Sequence, residues 1–180
     1  MQTPTIESKR IILRPLCVED AQDIYERWTS DDRVSQYVRW STHQSVEETI
    51  WWLQEEEKNN QGEDSYQWGF VDREKEFLFG GGGFFRNEQG IFELGYNIMY
   101  DYWNQGYTTE AVKCMLQFAR EKLQQQEFVA WYAKDNPASG AILKKCGFEY
   151  EKDCVSEKFD GSRKFACRFC RLKLEKGGFQ

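Results

Sequence analysis

The chain of 180 residues holds one histidine, His43, and no excess of positive charge. Its 24 Lys and Arg face 30 Asp and Glu, a net charge of −6. Non-specific nucleic-acid binding needs a basic footprint, so this balance argues against direct contact with nucleic acid. No apolar run reaches the ~18 residues expected of a membrane-spanning helix, so no span is expected. The start, Met-Gln-Thr-Pro-Thr-Ile-Glu-Ser, has no basic region ahead of an apolar stretch. It does not read as a secretory signal, and a cytoplasmic location is expected. Internal repeats and linker-like segments are absent, and the length fits one domain.

Six cysteines are present, at 17, 114, 146, 154, 167 and 170. Without a secretory signal they read as free thiols rather than a disulfide framework. Cys167 and Cys170 have C-x-x-C spacing, but they lie in a strand-like run, Phe165–Leu174, where residues three apart point to opposite faces. A second C-x-x-C is missing and His43 is remote, so no metal site is expected.

With 40% hydrophobic and 16% aromatic residues, the chain can bury a core. Lys9–Leu16 reads as a strand. Ala21, Ile24, Tyr25 and Trp28 recur at helical spacing, and a Ser45-Val-Glu-Glu48 capping box opens a second helix with Val46, Ile50 and Leu53 on one face. Glu55–Asp64 reads as a surface loop. Tyr66–Val71, Phe77–Phe85 and Ile91–Met99 form a meander with turns near Arg73 and Asn87. Gly80–Gly83 has neither dinucleotide nor phosphate-loop spacing, and marks a bulge or a close backbone approach. In the third strand Phe92, Leu94, Tyr96 and Ile98 share one face; Glu93, Gly95 and Asn97 share the other. Phe128–Ala133 is a further strand. The pair 148–158 and 164–174 turns at Asp160-Gly161, and the tail Lys176–Gln180 is expected to fray.

Tyr102-Trp-Asn-Gln-Gly106-Tyr-Thr-Thr-Glu-Ala111 leads from strand through glycine into a helix over 108–124, with Ala111, Met115, Phe118, Ala119 and Leu123 at helical spacing. A glycine there permits close backbone approach, and a helix N-terminus favours a phosphate. Asn136-Pro-Ala-Ser139 opens another helix, with Asn136 as N-cap, Pro137 in the first turn and Gly147 suited to the left-handed position after its end.

Five stretches, in order and at these spacings, resemble the GNAT N-acetyltransferases, and within them the branch that acetylates ribosomal-protein N-termini. They are R-I-I-L-R-P-L (10–16), E-L-G-Y-N-I (93–98), Y-W-N-Q-G-Y-T-T-E-A (102–111), N-P-A-S (136–139) and K-C-G-F (145–148). The resemblance runs from about Ser8 to about Leu174 and implies one N-acetyltransferase domain over 8–175. It implies an α/β GNAT fold of the α+β kind: a mixed, mostly antiparallel sheet flanked by helices, with a splayed strand pair holding the cofactor.

The resemblance assigns acetyl-CoA to Tyr96, Asn97, Ile98 and Met99 through the strand, and to Gln105, Gly106, Tyr107, Thr108 and Thr109 through the pyrophosphate. Several backbone N–H groups can cradle two phosphates without a lysine. Trp103 and Thr108 depart from the general pattern, which has Gln or Arg and Ala or Gly there. Asn136 is assigned to cofactor contact as well as to capping, and Ser139 to protonating the departing thiolate. For the base, the branch's E-x-x-[N/D]-G context selects Glu157, in Glu157-Lys-Phe-Asp-Gly161. Glu93, on the polar face of its strand, is the rival. The aromatic-rich stretch Ser30–Gln44, with Trp51 and Trp52, is either an acceptor groove or core packing. His43 reads as a loop residue.

The expected function is direct acetyl transfer from acetyl-CoA to a primary amine, with a backbone N–H near Ile98 polarising the thioester carbonyl and with no metal. The preferred acceptor is a basic protein or peptide N-terminus. The alternatives are a polyamine or aminoglycoside acceptor, or a silent acyl-CoA-binding module. Monomer and homodimer stay open.

Overall fold

A computed structural model describes residues 2–174. The expected domain end at 175 and the tail Lys176–Gln180 lie outside the described residues. Eight strands form one sheet: β1 Ile6–Glu7, β2 Ile11–Arg14, β3 Ser65–Asp72, β4 Leu78–Arg86, β5 Phe92–Ile98, β6 Glu127–Ala133, β7 Glu149–Glu157 and β8 Lys164–Lys173. Their order is β1-β2-β3-β4-β5-β6-β8-β7. Neighbours run antiparallel except β5 and β6, which are parallel. With its flanking helices this is the mixed α+β GNAT fold that the sequence motifs imply.

On one face lie α4 (Tyr107–Leu123) and α5 (Pro137–Lys145). The spacing of Ala111, Met115, Phe118 and Ala119 buries one stripe of α4 against Tyr66, Trp68, Phe84, Phe92 and Phe128 of the sheet. On the other face a smaller core of Leu16, Ile24, Trp28, Leu53 and Leu78 seats α1 (Ala21–Ile24) and α3 (Val46–Asn59). Losing one of the buried Phe rings to Ala costs about 3–5 kcal/mol.

Several elements differ from the sequence reading. The first expected helix is α1 followed by a π-helical turn, Tyr25–Thr29, and a short α2, Asp32–Ser35, comes next. Helix α3 continues to Asn59, so half of the expected loop Glu55–Asp64 is helical. Glu57 and Lys58 lie on the solvent side of an amphipathic helix, while Glu56 turns toward the sheet; composition alone does not separate such a segment from a loop. The Ser45 side chain makes no cap bond. Instead Glu48 Oε2 accepts from the Gln44 N–H at 2.9 Å. The register of β3 against β4 slips between Phe70 and Val71, beside Gly80, where a bulge was expected.

Candidate active site

Strands β5 and β6 pair only at Phe92↔Phe128 and Glu93↔Val129, after which β6 departs alongside β8. The Met99 N–H donates to Phe79 O at 2.8 Å. Ile98↔Gly80 is therefore a non-hydrogen-bonded pair of the β4–β5 ladder. It follows that the backbone N–H and C=O groups of Tyr96 and Ile98 face the gap between the parting strands. Trp103 Nε1 donates to Ile98 O at 3.0 Å and closes one end of it.

The same gap meets the start of α4. Gly106 precedes the helix at φ +79°, a left-handed conformation that glycine adopts without a Cβ penalty. The first-turn N–H groups have no intrahelical partner. Arg10 holds this junction: its Nε donates to Glu110 Oε2 at 2.7 Å, its Nη1 donates to Gln105 O at 3.2 Å, and its guanidinium lies over the Tyr107 ring. Arg10 thus ties the first of the five sequence stretches to the third.

A cleft of about 600 Å³ runs along the gap and out onto the opposite face of the sheet. Tyr96, Asn97, Ile98, Gly106, Thr108, Thr109, Asn136, Ser139 and Glu93 all line it. Met99, Gln105, Tyr107 and Glu157 are not among the lining residues. The Tyr107 hydroxyl instead points to Asp72 Oδ2 at 3.3 Å, and Gln105 Nε2 donates to Asp101 O at 2.5 Å. Asn136 Oδ1 accepts from the Ser139 N–H at 3.3 Å, so the residue caps α5 as its position predicts. Tyr96 Oη lies 3.0 Å from Ser139 Oγ.

On the cleft face of β5 the Glu93–Gly95–Asn97 stripe is complete. Trp131 Nε1 donates to Glu93 Oε1 at 3.0 Å. Burial pushes the Glu93 carboxyl above the ordinary range, and the Trp131 bond and the Arg39 charge only partly offset it. A Cβ on Gly95 would meet nothing within 4 Å, so that glycine answers to open cleft rather than to packing. Asn97 Oδ1 is buried without a hydrogen-bond partner among the described residues. A buried unmade bond costs about 1–3 kcal/mol, and the cleft is where a ligand donor can meet it.

Glu157 sits elsewhere. Its carboxylate is 45% exposed and lies 3.7 Å from Lys164 Nζ, and its backbone O accepts from Arg39 Nε at 3.4 Å. It belongs to the hairpin tip that closes one side of the cleft. There Lys158, only 9% exposed, donates from Nζ to Ser35 O at 2.6 Å and to Trp40 O at 2.8 Å. The Phe159 N–H donates to Arg39 O at 2.8 Å, and Ser41 Oγ donates to Asp160. These bonds pin residues 35–41 to the tip, and Tyr37, Arg39, Trp40 and Phe159 then form a wall of the cleft.

The sequence reading did not single out Trp131 or Phe159 as cleft residues; the alternation that places Trp131 was legible, but its partner across the sheet was not. The stretch Ser30–Gln44, expected to be acceptor groove or core packing, lines the cleft with Tyr37, Val38, Arg39 and Trp40. His43 does not line the cleft: its Nδ1 bonds Thr49 Oγ1 at 2.7 Å, and its ring packs edge-on behind the lining residues Trp40 and Trp52. Cys167 and Cys170 point to opposite faces, with only Cys170 in the main core. Among the described residues no His, Cys, Asp or Glu group could hold a metal ion.

The acetyltransferase (GNAT) domain family matches residues 10–149. A Bacillus subtilis protein, named the uncharacterized N-acetyltransferase YoaA, is 29% identical over 150 residues, covering 82% of this chain and 84% of its own. Among solved structures, RimL, a ribosomal L7/L12 alpha-N-protein acetyltransferase in complex with coenzyme A, superposes with a TM-score of 0.84 at 16% identity, over 96% of this chain and 99% of its own. The ribosomal-protein-S5-alanine acetyltransferase of Vibrio fischeri gives 0.78 at 15% identity, over 97% and 99%.

Proposed function

This chain belongs to the acetyltransferase (GNAT) domain family, and on that premise we propose that it acetylates the α-amine of a protein or peptide N-terminus. It is an acetyl-CoA-dependent N-acetyltransferase; the cosubstrate supplies the acetyl group as an activated thioester. The observation that carries the finer reading is the junction at Glu93. There a half-buried carboxylate held by Trp131 borders the strand gap on one side and an aromatic-walled acceptor cleft on the other.

The residues fit the cosubstrate. Tyr96, through its backbone N–H and C=O, and Ile98, through its N–H, offer groups that face the gap to its pantetheine, and the first turn of α4, at Gly106, Thr108 and Thr109, offers N–H groups to its pyrophosphate. The Ile98 N–H would polarise the thioester carbonyl. Glu93 is the proposed base, in preference to Glu157, because it is half-buried, its pKa is raised and it faces the cleft. Ser139 Oγ, partnered by Tyr96 Oη, would return a proton to the departing thiolate. A thiol with a pKa near ~8.5 leaves readily, so that donor is a helper.

A single carboxylate suits an α-amine of pKa ~7.7–8.0 better than a lysine near ~10.4. The names of RimL and the S5-alanine enzyme support the same acceptor class. The net charge of −6 favours a basic partner by steering. The test is thiol release from acetyl-CoA with a basic peptide carrying a free Ser or Ala N-terminus, its N-blocked lysine-containing twin, and spermidine. Faster turnover of the free N-terminus is expected. Equal turnover of the blocked twin or spermidine overturns the α-amine assignment and leaves the amine acetyltransferase.

A further inference from the structure

Glu56, on α3, is a second carboxylate in the acceptor cleft, and the cleft's own chemistry does not explain it. It lines the same cavity as Glu93 and is mostly shielded from solvent. No hydrogen bond or ion pair joins its carboxylate to any described residue. Its neighbour Asn60 is committed elsewhere: Oδ1 accepts from the Gln67 N–H at 2.9 Å and Nδ2 donates to Gln67 O at 3.3 Å. None of the cations lining the cleft, Arg33, Arg39 and Lys145, forms an ion pair with Glu56. Arg33 pairs with Asp31 at 2.6 Å, and Arg39 stacks on Phe159. Burial alone acts on the carboxyl and raises its pKa. A carboxylate in this position is unfavourable unless a cation meets it. Trp52 and Phe85 share the lining, and aromatic faces also favour a cation.

We propose that Glu56 binds a second positive charge on the acceptor, so that the substrate is a peptide with Lys or Arg shortly after its reactive N-terminal residue. Glu93 takes the reacting amine and Glu56 takes the neighbouring ammonium or guanidinium. This rests on the α-amine reading for the identity of the reacting group.

Binding separates the two ideas. Protein loaded with CoA, which cannot transfer acetyl, is titrated by calorimetry with a Ser-Lys peptide and with its Ser-norleucine twin. The wild type should bind the lysine peptide at least about tenfold more tightly, the scale of one well-desolvated charge pair. In Glu56→Gln that preference should vanish, while affinity for CoA and for the norleucine twin stays as in the wild type. Equal affinity of the twins for the wild type, no binding of either, or a preference surviving in Glu56→Gln overturns the proposal. The wild-type comparison stands even if the variant folds poorly. Failure of the α-amine reading shows separately, as no thiol release from acetyl-CoA with the norleucine twin, whose one reactive amine is the α-amine, while the binding difference remains.

Discussion

The Tyr96 hydroxyl and Ser139 Oγ stand 3.0 Å apart, one on β5 and the other in the first turn of α5. The pair bridges the gap at the place where the two strands have parted. Burial holds the Tyr96 phenol well above its ordinary range, so it stays protonated and can donate to Ser139. Ser139→Ala should slow turnover by on the order of tenfold, ~1.4 kcal/mol in the barrier. Tyr96→Phe should cost no more than that. If the two hydroxyls act as one unit, the double variant loses less than the product of the single losses. Steady-state kcat for the four proteins measures this, and a loss for Ser139→Ala exceeding that of the base variant would reverse the ranking.

Glu93 must be ionised to accept a proton. Its raised pKa therefore sets a limb on the rate profile: activity falls as pH drops through that value and is fully present above it. Glu93→Gln should remove the limb and lower kcat, with acetyl-CoA affinity nearly unchanged. The deficit should shrink at high pH, where more of the amine is already neutral. If Glu157→Gln shows this signature instead, the base is the hairpin carboxylate.

Gly106 permits a direct check of the phosphate site. Gly106→Ala would strain the backbone at φ +79°, but its Cβ would meet only the Arg10 side chain, at 3.6 Å. Gly106→Glu adds like-charge repulsion to the same strain. Calorimetry should therefore find acetyl-CoA affinity lowered modestly in the first and far more in the second. Equal losses would attribute the effect to backbone strain alone.

The Lys158 ammonium joins two segments that form the acceptor wall and touches neither the strand gap nor the start of α4. Lys158→Met should raise KM for the peptide acceptor several-fold while the Kd of acetyl-CoA holds. Removing an ammonium that serves two carbonyls also leaves those acceptors unmade, at ~1–3 kcal/mol each, so Tm should fall too. A matching loss in acetyl-CoA affinity would show a general loosening of the fold rather than an effect on the wall.

Most of the elements around the strand gap were legible along the chain because their signals are local. The 3.6-residue spacing of Ala111, Met115 and Phe118 marks α4, and the alternation in 92–98 assigns Glu93 and Asn97 to one face. Asn136 caps its helix, and Gly147 and Gly161 take the left-handed φ values, +90° and +71°, expected of a helix end and a hairpin turn. Each depends on a few neighbouring residues and on backbone geometry. The acceptor side was not legible in this way. An E-x-x-D-G pattern drew attention to Glu157, yet only the pairing of β5 with β6 brings the Trp131 indole to Glu93, 38 positions earlier in the chain. The wall is held in place by the bond between Ser41 and Asp160, 119 positions apart, and by the buried Lys158. Alternation tells which face a side chain takes, but not what will cover that face. Whether a carboxylate is desolvated, paired or left waiting for a cation depends on segments that meet only when the sheet closes.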